Sequence, residues 1–154
     1  MIVISACLCG VNCKYSGGNN LNENILKLFR DKKTVLICPE QLGGLETPRT
    51  PSEIKGGTGR DVLEGKAKVI DATGKDVTKK FVKGAYEALK IAKDVDAELA
   101  ILKANSPSCG CGKIYNGHFN GEKIDGNGVT AELFLKNNIK VVTEEDLDNL
   151  NLKR

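Results

Sequence analysis

Apolar residues follow one another along the chain in two rhythms. Short apolar stretches within Ile2 to Ala6, Thr34 to Cys38, Glu98 to Leu102 and Lys140 to Thr143 are too brief for helices, and they predict four strands, largely buried. Elsewhere the spacing switches to threes and fours. Ile25, Leu26, Leu28 and Phe29 follow Asn22, a good capping residue, and predict a helix ending near Asp31 to Lys33. Thr78 is expected to cap a second helix that turns Phe81, Val82, Ala85, Leu89 and Ala92 inward. A shorter helix is predicted near Ala131 to Asn137, and Thr143 with Glu144, Glu145 and Asp146 predicts the opening of a last one. Lys66 to Val77 alternates loosely around Thr73-Gly74 and predicts a hairpin, and a second hairpin is expected around Asn120-Gly121.

Strands separated by helices need right-handed crossovers and a parallel sheet. The expectation is one α/β domain over residues 1–154, a three-layer Rossmann-like fold with a mostly parallel sheet of about four strands plus hairpins. In such a sheet, ligands gather beyond the carboxyl ends of the strands, where neighbouring loops splay apart.

Composition narrows the functional classes. The 17 glycines exceed the usual share and serve loops, above all the irregular stretch from Gln41 to Gly65, and so long a segment without periodicity is usually functional. The net charge of +3 mixes both signs along the chain, with no basic stripe of the kind that tracks nucleic acid. The first apolar run is too short for a signal sequence or a membrane span, so the expected location is the cytoplasm. In that reducing compartment six cysteines point to metal or catalysis before disulfides.

Cys7, Cys38 and Cys109 each fall at or just after the end of a predicted strand. A cysteine that merely packs as a small hydrophobe would lie mid-strand and face the core. These three sit in turns, and with their strands adjacent at about 4.8 Å the thiols would meet on one sheet edge. No Cys-x-x-Cys pair occurs, which weakens both a zinc ribbon and a dithiol oxidoreductase. Cys9, Cys13 and Cys111 are further thiols, and spacing alone does not choose among the six. An iron–sulfur cluster with three protein ligands would leave one iron open to substrate.

Other residues offer chemistry beside these thiols. Glu40, in Cys38-Pro39-Glu40, could take or give a proton, although it reads equally as an ordinary loop carboxylate. Ser106 and Ser108 offer hydroxyls to a small polar heterocycle, and they also suit plain turn chemistry. Prolines flank Arg49 and could aim its guanidinium; a solvated arginine is the alternative. Gly56 to Asp61 resembles a phosphate loop but lacks the Lys-Ser/Thr ending, so a flexible flap is expected there. His118 is the only histidine and, in a hairpin, is expected to be exposed, which disfavours a Ser-His-Asp hydrolase.

Taken together, Ser5-Ala-Cys7-Leu-Cys-Gly10 with Tyr15 and Gly17-Gly18, Cys38-Pro-Glu40 leading to Gly43-Gly44-Leu45 and Pro48-Arg49, and Ser106-Pro-Ser-Cys109-Gly110 resemble the thiouracil desulfurase family. The resemblance runs from Ile2 to about Val142. It implies a [4Fe–4S] cluster on Cys7, Cys38 and Cys109 whose open iron binds the substrate's sulfur. It also implies a non-redox replacement of that sulfur by oxygen, with release of sulfide. Glu40, Ser106 and Ser108 match the acid/base and substrate-orienting positions, and Tyr15 and Arg49 are further candidates for binding substrate. Cys9 stands where relatives typically carry leucine. The family's larger relatives, with an appended domain, look like enzymes acting on thiolated tRNA bases. The modest charge here favours a free thiolated pyrimidine over RNA. Two other classes stay open, a non-catalytic iron–sulfur or metal carrier and a structural zinc protein.

Overall fold

The computed structural model describes residues 1–147. Its centre is a parallel sheet in the order β2-β1-β5-β8, built from β1 (Ile2–Ser5), β2 (Thr34–Ile37), β5 (Leu99–Leu102) and β8 (Lys140–Thr143). Ile4 lies level with Leu36 on one side and Ile101 on the other, and Ile101 is level with Val142.

Side chains alternate across a strand, so a run that is apolar throughout must be covered on both faces. Val3, Ala100, Leu102 and Val141 point into a core formed with Phe81, Ala85, Leu89 and Ala92 of α4 (Thr78–Asp94) and with Phe134 of α5 (Val129–Lys136). Ile4, Ile101 and Val142 point the other way, onto Ile25 of α1 (Glu23–Asp31). Each fully buried aliphatic side chain contributes about 1.5–3 kcal/mol, so both layers are needed to hold the sheet. Asn22 caps α1 as its sequence predicts, accepting the Ile25 N–H at 3.1 Å.

The remaining elements are α2 (Pro39–Leu42), β3 (Ser52–Lys55), α3 (Gly59–Leu63), β4 (Lys68–Asp71) and the antiparallel pair β6 (Lys113–Tyr115) and β7 (Lys123–Asp125). α2 presses against α4 with no side chains between them: a Cβ on Gly84 would run into the Pro39 carbonyl, and one on Gly43 into that of Lys80. That contact seats the start of α2 and the residue before it, Cys38.

Three local expectations differ from the structure. β4 turns back at Thr73-Gly74, but its strand partner is β3 rather than residues 75–77, which add only the Ile70–Asp76 bridge. The turn saturates itself locally, because Asp71 Oδ1 accepts from Thr73 N, Thr73 Oγ1 and Lys75 N. At the head of α4 the cap position is Val77, without a side-chain cap; Thr78 is already helical, its N–H donates to Asp76 Oδ1 at 2.9 Å, and its Oγ1 accepts the Val69 N–H. Gly56 to Asp61 is no flap. Asp61 Oδ2 accepts from Thr58 N and Oγ1 to cap α3, and Gly59 is buried against the backbone of Gly128. Thr143 and Asp146 form the expected cap interaction, and the rest of the predicted last helix lies outside the described residues.

Candidate metal and active centre

The carboxyl ends of β1, β2 and β5 lie side by side, and each leads into a turn that carries one of the three cysteines. β1 runs into a 3-10 turn, Ala6–Cys9, which Gly10 closes at φ 92 in the left-handed region that favours glycine. The loop beyond folds back on it: Asn20 N donates to the Cys7 carbonyl at 2.9 Å, and Asn22 N to that of Leu8 at 2.9 Å. β2 delivers Cys38 directly, as the residue before α2, with Pro39 in the first helical position where its missing N–H costs nothing. After β5 the chain makes the turn in which Ser106 Oγ accepts the N–H groups of Ser108 (3.1 Å) and Cys109 (3.0 Å).

Cys7, Cys38 and Cys109 line one cavity of about 460 Å³, together with Cys13, Glu40, Arg49 and Ser106. Each of the three sulfurs has a polar group of its own. Asn20 Nδ2 donates to Cys7 Sγ at 3.5 Å, and Ser5 Oγ, which also accepts the Lys103 N–H, donates to Cys109 Sγ at 3.4 Å. Cys38 is held down to about 7 by the Cys13 thiol, and then by the Gln41 N–H and the Arg49 charge, against the cost of burial. The same Cys13 thiol is the main reason Cys7 is also lowered. Cys13 is pushed up because its hydrogen bonds to Cys38 and Cys7 keep the proton on it. Burial pushes Cys109 up as well, and a coordinated metal ion would reverse that by taking the thiolate outright.

All six cysteines are free thiols, and Cys9 and Cys111 are not among the cavity's lining residues. Cys9 packs on the α1 side of the sheet and Cys111 on the α4 side. Among the described residues, no three Cys, His, Asp or Glu side chains are grouped so as to hold a single metal ion. A multinuclear cluster gives each thiolate an iron of its own, so its sulfurs stand farther apart. An all-sulfur donor set with hydrogen bonds aimed at the Cys7 and Cys109 sulfurs, and with Cys38 Sγ donating to the Cys13 carbonyl, fits such a cluster, since outer groups of this kind orient ligands and tune the metal.

Glu40 faces the thiols from the first turn of α2. Arg49, with its side chain only 6% exposed, donates from Nη2 to Glu40 Oε2 at 2.8 Å and to the Cys13 carbonyl at 2.9 Å. Nη1 reaches the Glu46 carbonyl and Thr47 Oγ1, while Nε is buried without a partner among the described residues. The guanidinium therefore acts first as a clamp on the carboxylate and on the Cys13 loop, rather than as a solvated charge. Glu40 Oε1 has no protein partner among the described residues and is left available to the cavity.

The structure separates the two serines. Ser106 lines the cavity, and Ser108 does not: it is 1% exposed and turned to α5, with its Oγ 2.8 Å from Thr130 Oγ1. Its role there is to tie the Cys109 turn to the helix. Tyr15 lines the cavity from the loop after Cys13, and His118 is exposed as expected. Sequence reasoning did not single out Asn20, Lys103 or Phe119, which also line it. Lys103 had a legible signal, since it directly follows β5 at the end of the sheet where ligands gather; its Nζ pairs with Glu144 at 2.9 Å. Asn20 and Phe119 lie in loops, where no periodicity assigns a direction.

Comparison with known proteins agrees with this geometry. The sequence model of the 2-thiouracil desulfurase family matches residues 2–146. The chain is 51% identical over 150 residues to the uncharacterized protein YbbK of Bacillus subtilis (strain 168), covering 97% of this chain and 99% of that one. It also superposes, with a TM-score of 0.84 at 37% identity, on the [4Fe–4S]-dependent thiouracil desulfidase TudS (DUF523), covering 98% of this chain and 95% of that one.

Proposed function

The chain belongs to the 2-thiouracil desulfurase family, and from that premise we propose that it hydrolyses the C–S bond of a free thiolated pyrimidine, giving the oxo base and sulfide. The observation that carries this is the meeting of three thiols, two of them held by hydrogen-bond donors, and an arginine-clamped carboxylate in one cavity. Cys7, Cys38 and Cys109 would hold a [4Fe–4S] cluster. When bound on three thiolates, that cluster supplies an iron with a vacant position, a Lewis acid that polarises a thiocarbonyl.

The protein's own groups do the rest. Glu40 Oε1, free of the Arg49 clamp that holds Oε2, takes a proton from the attacking water and returns it as the sulfur departs. Ser106 Oγ accepts two backbone N–H bonds, so its orientation is fixed and its own proton is available to a polar atom of the heterocycle. Arg49 keeps Glu40 aimed. Water enters, sulfide leaves, and no electrons are gained or lost.

A cavity of about 460 Å³ falls in the range of small-molecule sites, and the charges of both signs mixed along the sequence form no basic stripe, which supports a free base as substrate. No helix among the described residues is long and apolar enough to cross a membrane, and six free thiols suit a reducing compartment such as the cytoplasm. Protein reconstituted without oxygen and given 2-thiouracil is expected to release uracil and sulfide in equal amounts, over many turnovers. Cluster-loaded protein that binds 2-thiouracil and returns it unchanged would contradict the proposal and favour a carrier.

A further inference from the structure

Phe119 adopts a backbone conformation that aromatic residues avoid. Its φ is 53, in the left-handed region where bulky side chains are strained. Core packing does not repay that strain, because the residue sits between β6 and β7 with 39% of its surface exposed. Its place is nevertheless fixed. Glu53 Oε1, on β3, accepts the N–H groups of both Gly117 (2.9 Å) and Phe119 (3.2 Å). Gly117 lies so close to the Ile54 carbonyl that a side chain there would collide with it. The segment is thus bolted to β3 in the strained form.

The Phe119 side of this hairpin borders the same cavity as Cys7, Cys38 and Glu40. Tyr15, 48% exposed, borders it from an unconnected loop. Two of the seven large apolar side chains left open to solvent among the described residues thus lie at one cavity. An exposed ring held by its backbone is what a stacking platform requires, since every heteroaromatic base has a π-face.

We propose that Phe119 is a specificity-determining residue that stacks on the substrate's pyrimidine ring and selects heteroaromatic thiocarbonyls over open-chain ones. This rests on the function proposed above. It is tested by equilibrium binding of uracil, which is not turned over, to cluster-loaded protein, alongside kinetics with 2-thiouracil. Phe119→Ala is expected to weaken uracil binding and raise KM by about 5- to 100-fold, with kcat moved far less. Phe119→Gly should lose binding equally and yet melt about 1–3 °C higher, because glycine accepts positive φ; Phe119→Tyr should restore affinity. Uracil affinity within twofold of the wild type in both the Ala and Gly variants overturns the inference, as does a wild-type protein that binds no uracil. Wild-type protein that binds uracil through Phe119 and does not desulfurise 2-thiouracil sustains the inference and sinks the proposed reaction.

Discussion

Replacing Glu40 by glutamine is expected to lower kcat for 2-thiouracil by about 10²- to 10⁴-fold, the usual worth of a positioned acid or base, while the protein stays brown. The substitution keeps shape and removes only charge and proton affinity. The amide oxygen can still accept from Arg49 Nη2, and Arg49 keeps the carbonyls of Cys13 and Glu46 and the hydroxyl of Thr47, so the loop that carries it should stay in place. Cys38, two residues away, keeps the Gln41 N–H and the Cys13 thiol that hold down its pKa. Comparing ultraviolet-visible spectra with single-turnover rates separates the two functions. A glutamine variant that desulfurises at the wild-type rate would remove Glu40 from the chemistry.

Alanine at Cys7, Cys38 or Cys109 should have the other large effect, loss of the visible cluster absorption together with all turnover. In the proposed cluster each thiolate would hold a separate iron, so none of the three could stand in for another. Alanine at Cys9 or Cys111 should leave both properties unchanged, because neither residue lines the cavity. Cys109→Ala is the most informative of the set. This thiol is 5% exposed, so in the absence of metal its replacement deletes one buried sulfur and the acceptor of the Ser5 hydroxyl. A folded, colourless Cys109→Ala protein beside a brown Cys111→Ala protein is the expected pair. Equal iron in both would remove Cys109 from the ligand set.

The central sheet was legible in the sequence because parallel strands covered on both faces leave uninterrupted apolar runs. Ile2 to Ala6 and Thr34 to Cys38 show this most plainly. The convergence of Cys7, Cys38 and Cys109 followed from the same reading, since adjacent parallel strands bring their ends to one edge. What depends on distant pairing was not legible. The β4 segment carries the signal of its own turn and none of its partner β3, which lies before it in the chain, so a local hairpin was the natural expectation. Nor does spacing say which way a loop side chain points. Ser106 and Ser108 are two residues apart in one turn, yet one meets the cavity and the other meets Thr130. Burial of a charge is equally silent, and Arg49 between two prolines gave no sign that its guanidinium would close on Glu40. Phe119 was hidden for the same reason, because a strained backbone angle has no signature in composition.

Analysis of iron and acid-labile sulfide after strictly oxygen-free purification bears most directly on the claim that the strand-end thiols carry a cluster. About four irons and four sulfides per chain are expected, falling to background in the Cys38→Ala protein. A colourless wild-type protein holding one zinc, or one whose iron survives the loss of Cys38, would contradict it.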